Sequence, residues 1–194
     1  MSISPNHRNA RRAAGGFTLI VVMISAAVGG ILLTAVIAAN LHIVRSGLRA
    51  ARYSQLEPQI RRGLTMLGAD LRVASGLIYN GPADITLTIP DSTGATTQVT
   101  YAWTSATAAL FRVAGANSTA TSGRVYLIPN VPTAADGTSG VVFDRLDSNG
   151  ATTTTDLPTK QIRIRLTAAI GTGSGAAATR YESAAFLLRN KPVQ

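Results

Sequence analysis

The chain of 194 residues contains no cysteine, which excludes disulfides and thiolate metal sites. It therefore tolerates an oxidising compartment without depending on one. It has only two histidines, His7 near the start and His42 just past a long apolar run. No Ser–His or Cys–His pair can be assembled in the region beyond them. His42 has no metal-binding partner at useful spacing and reads as an interfacial residue. The sequence thus predicts no catalytic residue, no metal site and no cofactor, and the chain reads as a non-enzyme.

Charge is scarce and uneven. Up to Arg62 there are eight Arg against one acid, Glu57, whereas from Gly63 onward ten basic residues face eight acidic ones. The net charge of +9 therefore belongs mostly to the first third. The remainder is nearly neutral and gives no support for nucleic-acid binding. From about Gly76 the chain is rich in Thr, Ala, Ser and Gly and poor in Lys and Glu, a composition common in secreted β domains.

What is present is an uncharged stretch of 23 residues, Phe17 to Ala39. At about 1.5 Å per residue it spans roughly 35 Å as a helix, enough for the roughly 30 Å hydrocarbon core of a bilayer. Arg8, Arg11 and Arg12 precede it and suit a cytoplasmic flank. Arg45, Arg49 and Arg52 on the far side weaken that argument, so charge alone does not orient the segment. Small residues within it, Ser25, Ala26, Gly29, Gly30 and Ala35, would let other helices approach closely.

The junction Gly16, Phe17, Thr18, Leu19, Ile20, followed by Val22, Met23 and Ile24, resembles the class III signal of type IV pilins and pseudopilins, whose usual form is Gly, Phe, Thr, Leu, Ile, Glu, Val. The resemblance implies that a prepilin peptidase cuts after Gly16 on the cytoplasmic side and methylates Phe17, and that the apolar helix is retained. It implies further that Phe17, Leu19, Ile20, Val21, Gly29 and Gly30 take part in assembly with other pilins or pseudopilins. One position departs from the pattern: Val21 stands where the family usually has Glu. In that family the Glu compensates the N-terminal amine of an adjacent subunit, and Val21 cannot. Two other readings of the run stay open, a plain single-span anchor and a removed signal peptide with Val36-Ile37-Ala38 before the cut. The run is long for the second.

Beyond the run, residues 40–76 predict an extracytoplasmic continuation of the helix. Arg45, Arg49 and Arg52 share one face, either solvated or meeting lipid phosphates or a neighbouring subunit. Pro58 predicts a kink or short break. Ile60, Leu64, Leu67, Leu71 and Ala74 then recur at helical spacing, an apolar stripe for packing on a sheet, with Gly76 as a candidate C-terminal cap.

Residues 77–194 alternate at period two between turn-rich segments. Expected strands are 85–89, 98–103, 109–113, 124–128, 141–144, 161–167 and 181–188. The predicted fold class is α+β: a long N-terminal helix, membrane-spanning in its first half and amphipathic in its second, packed on a mostly antiparallel β-sheet. The domain organisation expected is a leader at 1–16, a transmembrane and assembly helix at 17–39, the helix continuation at 40–76 and the sheet domain at 77–194. The loops 114–123, 129–140, 150–159 and 170–179 carry little apolar area to offset ordering entropy, so mobility, or ordering by a partner, is expected there.

The order of Val99-Thr100-Tyr101, Leu110-Phe111-Arg112, Leu127 to Val131, Val142-Phe143-Asp144 with the turn Asp147 to Gly150, Ile162 to Leu166 and Leu187 to Asn190 is similar to the sheet domain of PilW-type minor pilins and J-type minor pseudopilins. Within it, residues 145–150 resemble an EF-type calcium loop, although Arg145 stands where the first acidic ligand is needed. A hairpin turn at Asn149-Gly150 accounts for the same letters.

Together these resemblances imply a minor pilin or pseudopilin. The chain would be a single-pass inner-membrane subunit with its C-terminal domain in the periplasm or outside, and could enter a filament. Its partners would be prepilin peptidase and other pilins. The alternative from another class is a membrane-anchored periplasmic binding module or hydrolase.

Overall fold

The computed structural model describes residues 18–116, 118–134, 136–170 and 178–192. The chain divides into two compact units, Met1–Val44 and Arg45–Gln194. One helix, α1 (Leu19–Val73), contributes residues to both.

In the first unit every described residue from Leu19 onward is helical. The apolar run contains no Pro and no charged residue, so nothing interrupts the hydrogen-bonded ladder. The Thr18 carbonyl opens it by accepting from Val21 N at 2.9 Å.

In the second unit the remainder of α1 lies against two antiparallel sheets. The larger has the order β1 (Gly76–Gly81), β2 (Asp84–Pro90), β3 (Thr96–Thr104), β4 (Ala109–Ala114) and β5 (Val125–Ile128). The smaller has the order β6 (Val141–Leu146), β7 (Gln161–Ile170) and β8 (Ala178–Leu187). Within each sheet every strand pairs with its sequence neighbour, the arrangement that short turns allow. The α+β class expected from the sequence is the one observed, but the single expected sheet is two. Between β5 and β6 no ladder forms. Isolated bonds join the sheets instead, such as Phe143 N to Pro82 O and Ala169 N to Asn130 O at 2.7 Å.

The break expected at Pro58 does not occur, because α1 continues helically through it. Pro58 forfeits one bond to the preceding turn, but Leu56 and Ile60 on either side are buried and hold the helix to the core. Gly76 is likewise no helix cap. The helix ends at Val73, Ser75 N donates to Thr88 O at 2.8 Å, and Gly76 opens β1 opposite Thr88. Strand pairing takes over where capping was expected.

The core confirms the apolar stripe. Ile60, Leu67, Leu71 and Ala74 are buried and Leu64 packs at their margin. Full burial of one such Leu contributes about 1.5–3 kcal/mol. They meet Ile85, Leu87, Val99, Tyr101 and Leu110 of the larger sheet and Phe143, Ile162 and Ile164 of the smaller. Two glycines on the helix admit the sheets closely: a Cβ on Gly63 would lie 2.4 Å from Ile128 Cγ1, and one on Gly68 would lie 2.6 Å from Phe186 Cε1.

The loops expected to be sparsely held have contacts of their own. Arg124 donates to Ala120 O at 2.6 Å and Ser118 O at 2.9 Å, and stacks on the Phe111 ring at 4.2 Å. Val131 is fully buried, and its carbonyl accepts from Trp103 Nε1 at 2.8 Å. Asp156 accepts from Arg145 at 2.8 Å and from Tyr79 N at 3.2 Å. Arg124, beside the first of these segments, and Val131 and Asp156 within them each close a specific contact, which composition cannot reveal.

Candidate assembly surface

Of the predicted site residues, Gly16 and Phe17 lie outside the described residues. Leu19, Ile20 and Val21 are described and exposed, at 75%, 68% and 44%. Val22, Met23, Ile24, Val28, Ile31, Leu32, Leu33, Val36 and Ile37 are exposed with them. Such a continuous apolar surface is unstable against water and calls for lipid or other helices around it. Among the described residues α1 is the one helix long and apolar enough to cross a membrane.

The polar side chains within this segment satisfy themselves on the helix backbone. Ser25 Oγ donates to Val21 O at 2.7 Å, and Thr34 Oγ1 donates to Gly30 O at 2.6 Å. Neither hydroxyl is left to be desolvated unpaired, a requirement in hydrocarbon. Ser25 and Gly29 share one face at four-residue spacing, as do Ala26 and Gly30. A Cβ on Gly29 or Gly30 would meet nothing within 4 Å. Their smallness therefore serves no contact within the described chain, and it leaves the backbone open to a neighbouring helix. Arg45 and Arg49 are exposed and Arg52 is half-buried.

In the second unit the carboxylates are the groups with potential for chemistry. Asp144 accepts from Arg163 Nε at 3.0 Å and from Arg165 Nε at 2.9 Å. Burial pushes its carboxyl up, and the hydrogen bonds of Arg165 and Arg163 outweigh that and hold it below its ordinary value. Asp147 Oδ1 accepts backbone N–H bonds from Asn149 at 2.8 Å and Ala151 at 2.9 Å, while Gly150 takes φ 83°. This is a side-chain-closed turn of the kind Asp favours. Asp144, Asp147 and Asp156 thus point to separate donors rather than to one another. Among the described residues no group of three His, Cys, Asp or Glu could hold a metal ion.

Two polar clusters escaped the sequence reading. Asp70, on the otherwise apolar inner helix face, accepts from Tyr101 Oη at 2.6 Å and Arg112 Nε at 2.9 Å. Burial pushes the Tyr101 hydroxyl well above its ordinary value, and the bond to the Asp70 carboxylate adds to it. Arg180 of β8 pairs with Glu57 of α1 and with Glu182, and donates to Tyr53 Oη at 2.9 Å. The hydrogen bond from Arg61 holds the half-buried Glu57 carboxyl below its ordinary value, and Arg180 contributes. Both clusters join residues far apart in the chain. The only local signal was a lone acid, Asp70, between Leu67 and Leu71.

Along β8 and α1 runs a groove of about 380 Å³ lined by Glu57, Arg61, Leu64, Arg72, Arg180 and Phe186. It holds no His, no Cys and no hydroxyl paired to a base. Its walls carry no activated nucleophile.

A long N-terminal apolar helix that continues into a packed helix on antiparallel sheets is a pilin-like architecture. No family model matches the chain, and no curated protein matches it.

Proposed function

We propose that this protein is a minor pilin or pseudopilin, a structural subunit of a type IV pilus or a type II secretion pseudopilus. The observation that carries the reading is the exposed apolar surface of residues 19–37, whose polar side chains are turned onto their own backbone. It stands directly behind the Gly16-Phe17-Thr18-Leu19-Ile20 junction. A segment of this kind is stable in lipid and equally stable against other apolar helices, so it can pass from one to the other without exposing a polar group. That exchange is the mechanism of assembly. The helix first waits in the inner membrane, and Gly29 and Gly30 then admit helices of other subunits. The sheet domain faces the periplasm or the outside. Prepilin peptidase is the processing partner, and no chemistry on a substrate is involved.

The reading is tested at the N-terminus. Intact-mass and N-terminal analysis of the membrane-purified protein should find Phe17 with a methylated amine and the apolar helix retained. A mature protein beginning at Met1 or at Ala39 refutes it.

A further inference from the structure

The arginines between the apolar run and the sheet domain are in phase with the core. Leu56, Ile60, Gly63 and Leu67 mark the face of α1 that is buried against the sheets. Counting back from Leu56 by four, three and four residues reaches Arg52, Arg49 and Arg45, so the three arginines continue that same face. Their cover runs out in step: Leu56 is fully buried, Arg52 is half-buried, and Arg49 and Arg45 are exposed. Where the packing of the sheets ends, the stripe changes from apolar to cationic. The exposed Arg62 and Arg72, by contrast, lie off this stripe on the outer face of the helix.

Charge and position indicate what meets this stripe. No acidic residue precedes Glu57, and Glu57 is itself engaged by Arg61 and Arg180. The band 45–56 therefore carries three positive charges and no negative one. Arg45 also follows Ala39, the last residue of the uncharged run, by six positions of continuous helix, about 9 Å. The headgroup layer adds roughly 5–8 Å to each side of the hydrocarbon core. Helical side chains lean toward the N-terminus, here back toward that layer. We propose that Arg45, Arg49 and Arg52 dock on the phosphates of anionic phospholipids in the leaflet where the apolar run ends. A guanidinium takes a phosphate through two parallel N–H bonds, which suits arginine for this role. Arg45 reaches the phosphates most directly, Arg49 follows one turn on, and Arg52 borders the sheet domain. The contact fixes a seating depth: sliding the helix outward breaks these bonds, and sliding it inward drives arginine into hydrocarbon. This inference rests on the run lying in a bilayer and does not depend on the filament reading.

In the test, full-length protein sits in bilayer discs of phosphatidylcholine holding a trace of phosphatidylglycerol with a photoreactive headgroup. Adducts on residues 40–56 are counted by peptide mass spectrometry, with photoreactive phosphatidylcholine in the same discs as background. Mapping by residue keeps the leader arginines out of the count. The excess over background should be displaced by unlabelled phosphatidylglycerol. Arg45→Gln combined with Arg49→Gln should lower it about thirtyfold, the factor for two arginines lost at an anionic surface. Both positions are exposed, so this variant keeps its core. Arg62→Gln combined with Arg72→Gln removes the same charge from the outer face and should leave the labelling unchanged. Four results would each overturn lipid docking: no excess over phosphatidylcholine, equal labelling of the parent and the Arg45→Gln, Arg49→Gln protein, an equal loss in the outer-face variant, or displacement by inorganic phosphate at matched ionic strength. None of them bears on processing at Phe17, which tests the filament reading separately.

Discussion

Asp70 and Tyr101 form the closest polar link between the helix and the larger sheet: the fully buried tyrosine donates its hydroxyl to Asp70 Oδ2 at 2.6 Å. Arg112 supplies the charge that lets a carboxylate sit there. Replacing Asp70 by Ala leaves both donors without an acceptor and should lower stability by about 2–3 kcal/mol, against about 1 kcal/mol for Tyr101→Phe. Because the two share one bond, the double variant should lose less than the sum. Denaturant unfolding of the four proteins checks this, and strict additivity would show that the bond contributes nothing.

The two inner glycines of α1 should differ in tolerance. A Cβ on Gly63 runs into Ile128, which is fully buried and cannot retreat. One on Gly68 meets the ring of Phe186, which borders the open groove. Overpacking costs about 1–3 kcal/mol and Gly→Ala in a helix returns up to about 1 kcal/mol. Gly63→Ala should therefore destabilise by about 1–2 kcal/mol, and Gly68→Ala should melt close to the parent. The reverse order would mean that the helix sits differently on the two sheets.

Acid should loosen the smaller sheet through Asp144. Its folded value is depressed, so its contribution is present above the ordinary Asp value, about 3.9, and is lost as pH falls through the lower folded value. Asp144→Asn cannot titrate, and its unfolding midpoint should vary less between about pH 5 and pH 2 than that of the parent. Parallel curves for the two proteins would remove Asp144 from the acid transition.

If the chain is a filament subunit as proposed, Val21 bears on its position there. An apolar residue there enters lipid with a gain of about 0.3–0.6 kcal/mol, where a central carboxylate costs about 2.5–3.5 kcal/mol. It offers no partner to the amine of a neighbouring subunit, which suits a place at or near the filament tip, where no such amine needs one. Labelled wild-type subunits should therefore mark filament ends, and Val21→Glu should allow label to spread along the shaft. Label along the shaft in the unmodified protein rules out the tip position.

Periodicity alone carried the α+β class, the inner stripe from Ile60 to Ala74 and most strands, because burial on one face dictates spacing at 3.6 or at 2. The apolar run from Phe17 to Ala39 was equally legible, since its demand for a nonaqueous environment depends on composition and length alone. Other features depended on where distant residues arrive. β1 was missed because its pairing with β2, not its own residues, decides that Gly76 extends rather than caps. Pro58 stays helical because Leu56 and Ile60 are held by a core assembled from both sheets. The division into two sheets and the seat of Asp70 under Tyr101 and Arg112 are likewise properties of the packed chain. Hydrogen-bond partners far apart in sequence leave no periodic trace, so only the tertiary structure could decide them.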